Sequence, residues 1–203
     1  TGTDDADALL KMGEAFVFGA GGVEQDVEAG IRLLESAAMS GNIRAKASLG
    51  KILMDGYYLP SDWKRGERLL QEASDAGLVQ AQLSLGNALL WGLNGDADPV
   101  RARLLLEQAV ASNDTDAMRI LGGLLVGGYV LDQDVEAGQQ LLERAIAAGN
   151  AEAKVSLGSF LLYGAIVNKD LPRAVALFED AASSGNGEGL ERLGETLMWQ
   201  RGN

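Results

Sequence analysis

Apolar positions along this chain fall into short blocks at helical spacing, divided by glycine and polar residues. From Ala153 onward, Val155, Leu157, Phe160, Leu161 and Leu162 form one broad apolar stripe with no proline inside, the pattern of an amphipathic helix. From Asp170 a second block places Leu177 and Phe178 side by side and follows them with Ala181 and Ala182. Both blocks are written again and again. AKASLGKILMDG (45–56), AQLSLGNALLWG (81–92) and AMRILGGLLVGG (117–128) fall on AKVSLGSFLLYG (153–164). The same phrase opens the chain from Ala8, with one extra residue in its loop, and closes it over 189–200. The second phrase begins at Asp26, Asp62, Asp98, Asp134 and Asp170, all 36 residues apart. Self-similarity at such a period is the mark of stacked helical units.

Each phrase carries its own start and stop signals. The first, helix A, has a glycine near its middle in every copy: Gly13, Gly50, Gly86, Gly122, Gly158 and Gly194. A mid-helix glycine costs about 1 kcal/mol against alanine. Six such costs predict that a partner helix approaches where a Cβ would clash. Helix A is expected to stop near Gly19, Gly56, Gly92, Gly128 and Gly164. After a loop of about six residues the recurrent aspartate sits where an N-cap belongs, and Pro99 and Pro172 suit the first turn that follows. A ladder of ligand-binding aspartates is the alternative reading of those five residues. Helix B then runs about 14 residues, with large pairs (Leu33-Leu34, Leu69-Leu70, Leu105-Leu106, Leu141-Leu142, Leu177-Phe178) ahead of small residues. It is expected to end at Gly41, Gly77, Asn113, Gly149 and Gly185, asparagine being the other residue that tolerates the left-handed conformation. A turn of about four residues makes successive helices antiparallel neighbours.

The expected fold is all-α: about five and a half 36-residue helix-turn-helix repeats. They run over 8–44, 45–80, 81–116, 117–152 and 153–188, plus a terminal helix at 189–200, in a single array spanning 1–203. In the last copy Glu191, Arg192 and Glu195 replace Val155, Ser156 and Ser159. That polarity suits a terminal helix; an array that continues beyond it is the alternative.

The phrase A-x-x-x-L-G-x-x-L-x-x-G, an aspartate, a small residue, paired large residues, A-A and a closing glycine resembles the Sel1-like repeat, a relative of the tetratricopeptide repeat. The resemblance covers about residues 8–200. Where that family often has tyrosine after its L-G, this chain has Phe16, Leu53, Leu89, Leu125 and Leu161. The resemblance implies a right-handed α/α superhelix (a solenoid), non-catalytic and acting as an adaptor whose concave groove holds another protein or peptide. It also implies links to the bacterial cell envelope and exopolysaccharide export, which favours periplasm or envelope over cytoplasm.

Charge and composition narrow the chemistry. Seventeen basic against 29 acidic residues give a net charge of −12, which opposes binding to nucleic acid or anionic membrane. The absence of cysteine and histidine excludes disulfides, thiolate nucleophiles, histidine triads and the commonest zinc sites. No apolar run is long enough to span a membrane, and TGTDDADALL is no secretory leader, though a mature chain or a fragment would have lost one. Asp96 with Asp98 and Asp132 with Asp134 sit in loops, but neither pair belongs to an EF-hand pattern. The glycine pairs at 21–22 and 127–128 lack the strand and the Lys-Ser or Lys-Thr of a phosphate loop. No catalytic, metal or cofactor-binding residue is assigned, and no cofactor is expected.

Partner contacts are expected at two columns. The position before the terminal glycine of helix A carries Phe18, Asp55, Trp91, Gly127 and Tyr163, and Trp199 follows in the last copy. Rings at a loop edge hold peptides or stack on sugars; packing between adjacent loops is the structural alternative. The residue after the mid-helix glycine supplies Lys51, Asn87 and Ser159 as groove contacts. The expected function is a protein-interaction scaffold. The alternative is a module attached to, or assisting, an enzyme of bacterial exopolysaccharide biosynthesis, modification or export.

Overall fold

The computed structural model describes residues 2–93, 96–164 and 166–202. Thr1 and Asn203, the ends of the expected array, lie outside the described residues. Among the described residues there are eleven helices and no strand. Helix A of successive repeats is α1 (Gly2–Phe18), α3 (Ile43–Asp55), α5 (Val79–Trp91), α7 (Thr115–Gly127), α9 (Ala151–Tyr163) and α11 (Gly187–Gly202). Helix B is α2 (Val27–Met39), α4 (Trp63–Asp75), α6 (Pro99–Ala111), α8 (Val135–Ala147) and α10 (Leu171–Ser183). The chain forms two compact units, Thr1–Leu105 and Leu106–Asn203.

The five aspartates cap helix B, each through two bonds. Asp26, Asp62, Asp98, Asp134 and Asp170 accept through Oδ1, at 2.9–3.1 Å, from the amides of Ala29, Arg65, Arg101, Ala137 and Arg173. Their own amides donate back to carbonyls in the last turn of the preceding helix A: Phe16, Leu53, Leu89, Leu125 and Leu161. One residue type therefore starts helix B and closes the loop behind it. In the first loop, with its extra residue, Gly19, Gly21 and Gly22 all take positive φ.

Helix B ends as the sequence predicts. Asn113, at φ 58°, is the one non-glycine residue with positive φ among the described residues, and Gly41, Gly77, Gly149 and Gly185 take that conformation in the other copies. The turn is tighter than expected, three residues (40–42, 76–78, 112–114, 148–150, 184–186) rather than about four. Helix A accordingly begins two residues earlier, at Ile43, Val79, Thr115 and Ala151. The cause lies in the last turn residue. Asn42, Asp114, Asn150 and Asn186 donate their amides back to helix B at Ala37, Ala109, Ala145 and Ala181. Their side chains accept from the amides of Ala45, Ala117, Ala153 and Gly189 in the new helix. Leu78 stands at the same place without a side-chain cap.

In three repeats the mid-helix glycine marks the crossing of helix A with helix B, and the partner is a second glycine. A Cβ on Gly13 would lie 3.0 Å from the carbonyl oxygen of Gly30, and one on Gly30 would lie 2.7 Å from that of Gly13. Gly50 with Gly66 and Gly122 with Gly138 repeat the reciprocal contact at 2.9 and 2.7 Å. In the third and fifth repeats helix B carries Ala102 and Ala174 instead, and a Cβ on Gly158 would meet the Phe178 ring at 2.7 Å. Gly194 of α11 has no described atom within 4 Å of its Cβ position.

Around these crossings the large residues are buried within each unit. In the first, Leu10, Val17, Leu34, Leu49, Ile52 and Leu53 pack with Ala37 and Ala45. In the second, Val126, Leu142, Val155, Leu157, Leu161 and Phe178 pack with Ala145, Ala153, Ala174 and Ala181. Ion pairs tie helix B to helix B of the preceding repeat: Arg65 to Glu35, Arg101 to Glu67 and Arg173 to Glu143. Lys46 and Lys154 reach Glu72 and Asp180 of their own repeats, both at 2.7 Å. The exposed pairs among these contribute about 0–1 kcal/mol each, whereas Lys154 is itself buried.

Two substitutions test the packing account by chemical denaturation. Gly138→Ala is expected to destabilise by about 1–3 kcal/mol despite the better helix former, because its Cβ overpacks the crossing. Gly123→Ala, one residue along from Gly122 with open space at Cβ, is expected to stabilise by up to about 1 kcal/mol. Equal effects would contradict the account. The caps give a second test: Asp134→Ala is expected to cost about 1 kcal/mol while Asp134→Asn, which still caps, stays near wild type.

Candidate partner-binding rim

Helix A stops at the left-handed glycine, so the side chains just before and just after it are carried to the loop edge. Gly56, Gly92, Gly128 and Gly164 take φ of 57–66°. Before them stand Asp55, Trp91, Gly127 and Tyr163; after the first three come Tyr57, Leu93 and Tyr129. Position 165 lies outside the described residues. The two columns complement each other: where the first lacks an aromatic, at Asp55 and Gly127, the second supplies one. The Tyr129 ring lies over Gly127, so close that a Cβ there would be 2.9 Å from Cδ2. With Phe18, the last residue of α1, and Trp199, three residues before the end of α11, each copy carries an aromatic at this register position or two residues beyond it, and the six rings are 49–86% exposed.

The candidate residues of the sequence fall as follows. Phe18, Lys51, Asn87 and Trp91 lie in the first unit, Ser159, Tyr163 and Trp199 in the second. Lys51 is exposed; Asn87 and Ser159 are half-buried. Each of these three stands four residues before a column position (55, 91 and 163), which places the two sets on one face of helix A. Phe18 packs edge-on against Tyr58 at 5.6 Å, and Tyr58 against Tyr57 at 4.9 Å. Tyr163 and Trp199 come together, lining one pocket of about 410 Å³ with Leu162, Lys169, Glu195 and Thr196. Lys51, Asn87 and Ser159 do not line it.

Within that pocket Lys169 Nζ sits 5.3 Å from the centre of the Trp199 ring, in range for a cation–π contact. Glu195, one turn before Trp199, faces Arg192 at 3.6 Å. Thr196 is buried and donates to the Arg192 carbonyl. Sequence reasoning missed Tyr57 and Tyr129 as members of the rim, because a fixed column hides a residue that crosses the glycine. It also missed Lys169 and Glu195. Glu195 was visible in one respect, since it stands after Gly194 in the register of Lys51, Asn87 and Ser159.

The side chains of the five cap aspartates are engaged by backbone amides, which accounts for their period without a ligand. Among the described residues no three potential metal ligands gather. No helix there is long and apolar enough to cross a membrane.

Solved structures with the same fold include a Sel1 repeat protein from Oxalobacter formigenes (TM-score 0.79, 21% identity, covering 94% of this chain and 77% of that one). A protective antigen present in uropathogenic Escherichia coli strains is similar as well (TM-score 0.77, 23% identity). The match covers 96% of this chain but spans only 42% of that antigen. An immunity protein from Pseudomonas aeruginosa matches at TM-score 0.59 and 21% identity, over 91% of this chain and 67% of its own. Comparison with curated proteins found no match. The Sel1 repeat model matches five consecutive segments, 6–42, 43–78, 79–114, 115–150 and 151–186, each beginning at or near the observed start of a helix A. The chain belongs to the Sel1 repeat family.

Proposed function

We propose that this chain is a non-catalytic scaffold that binds another protein through the exposed rings at or near the ends of its A helices. Sel1 repeat proteins are generally protein–protein interaction scaffolds. The observation that carries the reading here is the exposed ring in every copy, retained even where it has moved across the terminal glycine. Packing does not require that. A buried core filler belongs at one fixed position of the helix, whereas an exposed ring needs only to reach the same edge. Large, rigid rings at low entropy cost are what interaction surfaces use as anchors.

A second reading draws on the same rings. Aromatics also stack on sugars, so the edge fits a module assisting a bacterial exopolysaccharide enzyme. The charge of −12 disfavours direct grip on an anionic polymer and directs that reading towards assistance.

The test is capture of proteins from lysate and envelope fractions of the source organism, with wild type and a Trp91→Ala, Trp199→Ala double variant as baits. A specific partner captured by wild type is expected to drop about tenfold with the variant. Because both rings are exposed, stability is expected to stay within about 0.5 kcal/mol per substitution. Undiminished capture, or loss that merely tracks unfolding, would refute the role of the edge. Binding of neutral glycans in place of any protein would favour the second reading.

A further inference from the structure

We propose that the pocket between Tyr163 and Trp199 receives the guanidinium of an arginine on a basic segment of the partner protein. This rests on the scaffold reading and narrows it to one anchor and one chemistry. Four observations converge on a cation. Tyr163 and Trp199 present exposed rings to the same space, and an indole face is the strongest aromatic seat for a cation. The protein itself shows that the seat takes one: the Lys169 ammonium occupies it at 5.3 Å. The start of the Lys169 side chain packs over Gly164, whose Cβ position lies 2.5 Å from Lys169 Cβ, which sets the direction of the stem towards the ring.

Glu195 adds a carboxylate to the lining. Its engagement with Arg192 is long, at 3.6 Å, and leaves acceptor capacity that a planar guanidinium can use bidentately. Finally, the net charge of −12 steers basic segments toward the chain before any contact forms. Lys169 then acts as an internal competitor. Its flexible stem lets the ammonium swing to solvent, and the incoming arginine gains a flatter stack on Trp199 and the hydrogen bonds that lysine does not make.

The competitor gives the test its sign. The probe is a fluorescein-labelled peptide, Gly-Arg-Gly-Arg-Gly-Arg-Gly with blocked ends, followed by fluorescence anisotropy at about 50 and 150 mM salt. The same peptide with citrulline in place of arginine is the neutral control. Trp199→Leu and Tyr163→Leu leave the charge unchanged, so general attraction to an acidic protein is not altered by either. Trp199→Leu is expected to weaken arginine-peptide binding about tenfold. Lys169→Met is expected to strengthen it, and by more than Lys64→Met, which removes the same charge from an exposed helix position elsewhere. Wild-type affinity in Trp199→Leu, equal binding of the citrulline peptide, or weaker binding in Lys169→Met would each overturn the proposal. Should Trp199→Leu fail to fold, the loop substitution Lys169→Met decides alone. If the pocket fails while partner capture still depends on the rim, the scaffold reading stands and only this anchor is lost.

Discussion

Three helix pairs in this chain depend on how closely two backbones come at one crossing. Gly122 and Gly138 place each other's carbonyl oxygens within 2.7–2.9 Å of where a Cβ would sit, and the pairs Gly13–Gly30 and Gly50–Gly66 repeat the arrangement. No side chain larger than hydrogen fits both positions without moving a helix. The large residues then close around the contact from one or two turns away, as Val126 and Leu142 do, both fully buried. A glycine in each helix lowers helix propensity, and the approach it permits is what offsets that cost. Outside the crossing, caps do the remaining work of defining ends.

The rim follows from the same geometry. Once helix A is held at its crossing, its last turn is fixed by two bonds: the left-handed glycine satisfies one carbonyl, and the amide of the following cap aspartate satisfies another. Residues on either side of the glycine therefore emerge at the loop edge of their own repeat. Glycine pairs, leucine pairs and cap aspartates hold each unit together, while the rings remain 49–86% exposed.

Most of the fold was legible in the sequence because its signals are local and repeated. The glycine period predicted a close crossing, the aspartate period predicted the caps, and Asn113 was expected in the left-handed conformation it adopts at φ 58°. The start of helix A was misplaced for a specific reason. Asn42, Asp114, Asn150 and Asn186 each end one helix through the backbone and begin the next through the side chain, so a residue that reads as turn is also a cap. The crossing partners Gly30, Gly66 and Gly138 were visible only as a small residue after the aspartate, since which two glycines meet is a question of helix orientation. The site was less legible still. Tyr129 covers Gly127 from two residues away, and Lys169 meets Trp199 across 30 positions of sequence; neither follows from composition or period.

The measurement that bears most directly on the constraint is a double-mutant cycle of Gly122→Ala and Gly138→Ala, read as free energy of unfolding. If the two glycines exist to permit one shared approach, the first Cβ already separates the helices and the second adds little. The double variant should then lose less than the two single losses combined, by about 0.5–3 kcal/mol, the range seen for residues in contact. Additive losses would mean that each glycine answers to its own surroundings, and the common crossing would not be what sets the pair.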